Sequence, residues 1–371
     1  MTFDLASLGW DADFASAYAE LTHGAPPRRS GAALSGYRPA RVARVDRGVC
    51  TIFTADGADR ASLGGDWLAR CARDPVWLPC AGDWLAVRTW PDRRTTIEAV
   101  LPRRTRILRA TAGRDSRGQV LAANLDVAAV VEPMAPAPDL AQIERLLALA
   151  ISSGARPLVL LTKADLLARP EPVARQVAEA TGGVEVITVS AQRGTGLDRL
   201  RPLVAAGRTL GLLGPSGSGK STLVNALAGA PVMGTRSIRR SDGRGRHTTT
   251  YRVLVPLPGG GAVLDTPGVR AVGLFDSEPG LRQVFAEIDR LAEGCRFADC
   301  DHDLEPGCAV REALATGELT ARRLDSWRRL RRELDGQSRR RDARLAVESG
   351  AEWRRRQRQG RAAGRVGHLP G

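Results

Sequence analysis

The run Gly214-Pro215-Ser216-Gly217-Ser218-Gly219-Lys220-Ser221 has the composition and spacing of a loop that wraps phosphate groups. Its glycines let the backbone close around the anion, so that amides face the phosphates. Lys220 supplies a compact charge for the β- and γ-phosphates, and Ser221 supplies a hydroxyl for Mg²⁺. Thr222 opens the helical run that follows, whose N-terminus adds amides and a dipole. A second chemistry lies in Cys295-x4-Cys300-x-His302-x5-Cys308. Three thiolates and one imidazole complete a closed tetrahedral shell, the pattern of structural Zn²⁺ rather than of a catalytic site with an open position. Buried free cysteines are the plainer alternative. Asp299, Asp301 and Asp303 stand close enough in sequence to hydrogen-bond the imidazole.

The phosphate loop alone does not choose a base. Thr162-Lys163-Ala164-Asp165 follows the apolar run 158–161, at the carboxyl end of an expected strand. A carboxylate at Asp165 can accept both the N1 and N2 hydrogens of guanine, which adenine does not offer. Lys163 would lie along the guanine and ribose side. Ser190 and Ala191 follow the next apolar run and can present a backbone amide to the base oxygen. Asp265-Thr266-Pro267-Gly268 ends another run, where Asp265 can hold Mg²⁺ through water and the Gly268 amide can report the γ-phosphate. Between these lies the glycine-containing segment 243–250, ending in His247, Thr248, Thr249 and Thr250. Such a segment is expected to order around Mg²⁺ and the γ-phosphate, with Thr248 near the phosphate and Thr249 joining Ser221 and Asp265 at the metal.

Of 55 basic residues only Lys163 and Lys220 are lysines. The chain otherwise uses arginine, whose planar fork cannot thread a phosphate loop as an ammonium does.

The elements that must position these residues change character along the chain. Residues 1–37 read as an amphipathic arm and linker, and 38–105 as short strands between turns. That pattern fits a small β-barrel, and an OB-like or an SH3-like barrel would read the same. Residues 106–274 alternate apolar runs with helical periods, an α/β pattern with helices on both faces of a parallel sheet. Residues 275–337 are helical around the Cys/His cluster, and 338–371 form an arginine-rich tail.

A net charge of +14 and a pI near 10.8 point to a polyanionic partner. From 320 to 371 there are 16 arginines against 6 acidic residues, with Trp327 and Trp353 as the only aromatics. That favours contact with a phosphate backbone over base stacking, although a solvated arginine-rich helix or tail would look alike. No run of about 18 apolar residues is present, so no membrane span is expected. The N-terminus lacks a basic segment followed by an apolar core, which makes a cytoplasmic location the expectation. Cys50, Cys71 and Cys80 have no metal-like spacing and are expected to be small buried side chains.

The order of motifs carries a resemblance. TKAD at 162–165, SA at 190–191, GPSGSGKS at 214–221, HTTT at 247–250 and DTPG at 265–268 place base recognition before the phosphate loop. With the barrel pattern and the Cys/His cluster, the chain resembles the ribosome small subunit-dependent GTPase A family (RsgA, also called YjeQ), from about residue 8 through Cys308. The resemblance implies a circularly permuted P-loop GTPase domain of α/β class, an N-terminal OB-like β-barrel and a C-terminal helical zinc-binding domain. It further implies GTP and GDP with Mg²⁺, one structural Zn²⁺, binding to the 30S subunit and its 16S rRNA, subunit-stimulated hydrolysis, and a role late in 30S maturation. A monomer is expected.

Two positions depart from common GTPase patterns. Thr162 stands where asparagine is usual. Its hydroxyl can still tie neighbouring loops together, but it cannot make every bond of an amide, so weaker nucleotide affinity is expected. Val269 stands where Ras-like proteins place a water-orienting glutamine. The resemblance offers His247 as a substitute, beside Lys220 and Thr249 in the catalytic set; an ordinary loop histidine, or one touching RNA phosphate, fits equally. Two other functions remain open at this point: an RNA-binding protein with a non-hydrolysing nucleotide fold, and a permuted GTPase serving the large subunit.

Overall fold

The computed structural model describes residues 2–23, 36–46, 48–110, 118–234, 252–266 and 273–365, with side chains of the last helix described to 343. His247, Thr248, Thr249 and Gly268 lie outside these residues.

After helix α1 (Ala12–His23) come strands β1 (Tyr37–Asp46), β2 (Val49–Thr54) and β3 (Gly57–Leu63), helix α2 (Gly65–Arg73), then β4 (Trp84–Thr89) and β5 (Thr95–Val100). They pair in the order β1-β2-β3-β5-β4, and β4 returns to β1. β1 closes the barrel by pairing twice: Tyr37–Arg41 run against β4, while its second half runs against β2. A register shift between Val42 and Arg44 bends the strand between the two partners. Val42, Ile52, Ala61, Leu85, Val87 and Ile97 fill the interior with Cys50 and Cys71. This closed five-stranded order, with a helix between the third and fourth strands, is OB-like. It resolves the choice that strand spacing left open. Cys80 is buried as well, as expected.

The hairpin β6 (Arg106–Ala110) and β7 (Gly118–Ala123) leads into an α/β unit: β8 (Val127–Pro133), α3 (Leu140–Ser152), β9 (Arg156–Thr162), α4 (Glu171–Ala180), β10 (Val186–Thr188), α5 (Leu197–Leu200), β11 (Thr209–Leu213), α6 (Lys220–Ala228), β12 (Val253–Pro256) and β13 (Ala262–Thr266). The order is β10-β9-β8-β11-β13-β12, parallel except for β12. β8 and β11 are buried nearly throughout, as central parallel strands covered on both faces must be. One core lies on the α3 face and a second on the α6 face.

Several contacts join barrel and sheet, Arg41 Nη2 donating to Asn124 O among them. Arg44 of β1 pairs with Val253 of β12. The N-terminal arm crosses the junction, where Ser7 O accepts from Gly207 N at 2.8 Å and from Gly261 N at 2.7 Å, while Trp10 and Phe14 pack on Trp84.

The C-terminal part comprises α7 (Glu278–Val284), α8 (Ala286–Ala292), α9 (Ala309–Thr316) and α10 (Ala321–Arg365). α10 runs unbroken across position 338, where the sequence suggests a change from packed helix to tail. Buried Leu324, Leu330 and Leu334 dock its first turns. Among the described residues no helix is long and apolar enough to cross a membrane.

Candidate nucleotide and metal sites

β11 delivers the phosphate loop to the carboxyl edge of the sheet, and α6 begins at Lys220. Gly214 has no room for a side chain, since a Cβ there would come within 2.3 Å of Val131 O. Gly217 and Gly219 take φ of +84° and +93°, which side chains rarely adopt. Lys220 folds back into the loop, and Nζ donates to Gly214 O at 2.8 Å and to Pro215 O at 2.7 Å. It is only 6% exposed. Burial lowers its pKa, against the opposing charges of Asp265 and Glu132.

Asp265 at the end of β13 is 1% exposed. Ser221 Oγ stands 3.5 Å from its Oδ2, while Oδ1 has no hydrogen-bond partner among the described residues. Burial raises the carboxyl pKa. A buried carboxylate oxygen left unmatched beside a hydroxyl is a donor set suited to a hard cation, so Ser221 and Asp265 fit Mg²⁺. The Ser218 hydroxyl is also buried and unmatched within the loop.

The base-side motif lies on the neighbouring strands. Thr162 ends β9, and its Oγ1 donates to Ser218 O at 2.5 Å, tying that strand to the phosphate loop. The hydroxyl thus does keep two loops together, as its chemistry allows. Lys163 takes a left-handed conformation (φ 58°) that turns the chain into a short 3-10 segment, Ala164–Leu166. Asp165 receives a hydrogen bond from Ser190 Oγ at 2.6 Å. Ser190 Oγ in turn accepts from Arg193 N, and Ala164 N reaches Val189 O. Ala191 follows at the same edge, half-buried. The structure therefore brings together 162–165, 190–191, 214–222 and Asp265. The motif pointed to the backbone after Ser190, whereas the Ser190 hydroxyl is the group that orients Asp165. A hydroxyl at the end of the strand next to the aspartate was the available signal.

The second site is equally compact. The ligand atoms of Cys295, Cys300, His302 and Cys308 all lie within 4.8 Å of one another. Cys295 Sγ and Cys308 Sγ are 3.9 Å apart, and His302 Nδ1 is 3.6 Å and 3.5 Å from them. A tetrahedral ion with Zn–S of about 2.3 Å and Zn–N of about 2.0–2.1 Å requires edges of about 3.8 Å and 3.6 Å. The cluster fits Zn²⁺ bound through Nδ1. Among the described residues no aspartate bonds the imidazole, so Asp299, Asp301 and Asp303 do not fill the role expected of them. Glu305 organises the loop instead, accepting from the backbone amides of Asp301, Asp303 and Leu304. Arg328 of α10 donates to His302 O, and the Trp327 ring lies 5.6 Å from the imidazole. Because the loop leans on α10 through the liganding residue, removing metal with a chelator should lower the melting temperature and expose 293–308 to proteases. Unchanged melting and cleavage would show that the cluster carries no metal.

The sequence profile of the RsgA GTPase family matches residues 100–275. The small ribosomal subunit biogenesis GTPase RsgA of Streptomyces coelicolor is 49% identical over 362 residues, covering 97% of this chain and 94% of that protein. This chain belongs to the RsgA GTPase family. It is a GTP-hydrolysing enzyme, and the family implies guanine nucleotide with Mg²⁺ as its ligand. The Streptomyces avermitilis protein of the same name is 47% identical, over 97% of this chain and 93% of its own. The crystal structure of YjeQ from Thermotoga maritima superposes with a TM-score of 0.58 at 25% identity, over 81% of this chain and 99% of that one. YloQ, described as a circularly permuted GTPase, shares the fold with a TM-score of 0.54, over 82% of this chain and 96% of that one. The permutation is explicit in this RsgA-family chain, whose base-side strands β9 and β10 precede the phosphate-loop strand β11.

Proposed function

We propose that this GTPase acts in biogenesis of the small ribosomal subunit, binding the 30S particle and its 16S rRNA and hydrolysing GTP in response. The observation that carries the reading is likeness over almost the whole chain to proteins named for that process. The arginine surplus of the C-terminal segment supports an RNA partner. In this reading the protein works late in maturation, as a cytoplasmic monomer with no membrane contact. Its parts are the arm (1–37), an RNA-binding barrel (38–105), the GTPase unit (106–274), a zinc-binding helical unit (275–337) and an arginine-rich end (338–371). Co-sedimentation with separated subunits tests it. Pelleting with 30S and not with 50S is expected, and pelleting with 50S alone would defeat it.

The geometry of 162–165, 190–191, 214–222 and Asp265 supports the nucleotide roles of those residues, and the motif order supports those of Thr248, Thr249 and Gly268. Residues 214–222 hold the phosphates, Lys220 neutralises them, and Ser221, Asp265 and Thr249 hold Mg²⁺, with Thr248 and Gly268 at the γ-phosphate. Thr162, Lys163, Ala164, Asp165, Ser190 and Ala191 receive guanine. Asp165→Asn removes the acceptor for two guanine hydrogens, so GTP affinity should fall about 100-fold while xanthosine triphosphate gains. No shift toward xanthine would remove Asp165 from that role. His247 is the candidate for orienting the attacking water. His247→Ala should slow subunit-stimulated turnover by about 10²-fold or more with nucleotide binding intact; turnover equal to wild type would eliminate it. Cys295, Cys300, His302 and Cys308 hold Zn²⁺ as a structural staple, which supplies folding free energy and no step of the reaction.

A further inference from the structure

Trp77 ends the 3-10 turn Pro75–Trp77 that follows α2, and it is 37% exposed on a backbone that is firmly held. Three successive carbonyls at this turn are gripped from within. Val76 O and Leu78 O accept from Arg103 Nη1 and Nη2 at 2.7 Å and 2.8 Å, and Arg103 in turn pairs with buried Asp83 at 2.7 Å. Trp77 O accepts from Trp67 Nε1 at 3.2 Å and from the Cys71 thiol at 3.3 Å. The barrel itself therefore presents this indole at the surface. An arginine lies over it. The Arg70 guanidinium carbon stands 3.7 Å from the Trp77 ring centroid and 5.2 Å from that of Trp67, while the two indoles meet edge to face at 6.1 Å. A separation of 3.7 Å puts the fork in stacking contact with the Trp77 ring. Arg70 is exposed as well, so the aromatic pair ends in a planar cation at the surface.

Charge and position indicate what such a plane would recognise. α2 and the turn carry Arg70 and Arg73 against Asp66 and Asp74, so this surface has no net charge with which to follow a phosphate backbone. An unpaired base is neutral and flat, and bases splayed out of a strand stack on aromatic rings and on arginine planes. The surface also lies on the connection between β3 and β4, outside the strand face and loops by which OB-folds ordinarily take nucleic acid.

We propose that the Arg70–Trp77 stack takes one unpaired nucleobase of the RNA on which this protein assembles, the base lying on the guanidinium plane that the two indoles hold in place. The proposal rests on the small-subunit reading given above. Because the stack is preformed, a base adds a further layer without the cost of ordering a free arginine side chain.

The test uses the full chain loaded with a non-hydrolysable GTP analogue, titrated with purified small subunits at several salt concentrations. Arg70→Lys keeps the charge and loses the plane. It should weaken binding about tenfold, as far as Arg70→Gln does, with no change in the slope of log K against log salt. Trp77→Ala should lose as much, and Trp77→Phe, which keeps a ring under the fork, should bind within about threefold of wild type. Affinity for the analogue without subunits should not change in any variant. Wild-type affinity in Arg70→Lys would overturn the proposal, and a slope lowered by about one in Arg70→Gln would then mark a point-charge contact with phosphate. A lowered melting temperature with unaltered subunit binding would overturn it too, as a purely internal role. Benzoylphenylalanine in place of Leu78, which is also exposed, should cross-link to RNA on irradiation, whereas cross-links to ribosomal protein alone would give the surface to a protein partner. A short oligoadenylate separates the stack from the reading beneath it. If the wild type fails to bind small subunits, that reading falls. The stack stands if Arg70→Lys still weakens oligoadenylate binding about tenfold, and falls if it does not.

Discussion

Lys220→Ala should lose nucleotide affinity by about 100-fold or more, and GTP turnover with it, while the fold survives. The ammonium is the only full positive charge brought into the phosphate loop among the described residues, and it is already desolvated. Its two bonds go to loop carbonyls, Gly214 O and Pro215 O, which a phosphate can replace without moving the helix behind it. Charge-assisted hydrogen bonds contribute about 1.5–3 kcal/mol each, so two of them account for the factor. Lys220→Arg should fail nearly as badly, because the space between Gly214 O and Pro215 O suits a point charge and not a planar fork. Isothermal titration with GDP and GTP measures this. Affinity within threefold of wild type in the alanine variant would show that the loop amides alone hold the phosphates.

The second large effect is on stability. Glu144→Leu should destabilise the protein by about 3–5 kcal/mol, as breaking one side of a buried ion pair does. Glu144 lies on α3 and is fully buried. Its Oε1 accepts from Arg322 at 2.9 Å and Arg323 at 2.8 Å, and its Oε2 accepts from Ser326 Oγ at 2.5 Å. Arg323 also reaches Glu287 and Ala180 O. One carboxylate thus fixes α10 on the GTPase sheet and, through α10, braces the metal loop at His302 O. Adding Arg323→Met to Glu144→Leu should recover none of the loss, because Arg323 keeps Glu287 as a partner and its removal would leave that carboxylate unmatched. Denaturant unfolding checks both. A loss below about 1 kcal/mol in the single variant would mean that the Leu324, Leu330 and Leu334 packing holds α10 by itself.

What the sequence discloses depends on the range of the interaction. The phosphate loop and the Cys/His cluster are legible because a phosphate or a metal imposes short, fixed spacings on one stretch of chain. The barrel type is not legible: it turns on β3 pairing with β5 and β4 returning to β1, contacts set by long-range packing. Glu144 is invisible for the same reason. α3 reads as an apolar face of Ile143, Leu146, Leu147 and Ala150, and the arginine that matches Glu144 follows it by 179 residues. Asp299, Asp301 and Asp303 mislead because proximity along the chain suggests a contact with the imidazole. The loop is closed by Glu305 instead, whose carboxylate spans three amides. Thr162 departs from the common pattern yet retains half of its purpose, since tying β9 to the phosphate loop needs only one donor.

GTP turnover, measured with purified small and large ribosomal subunits added separately, bears most directly on the central claim. Slow hydrolysis by the free protein, strong stimulation by small subunits and none by large ones are expected. Turnover that ignores both, or that rises only with the large subunit, would contradict it.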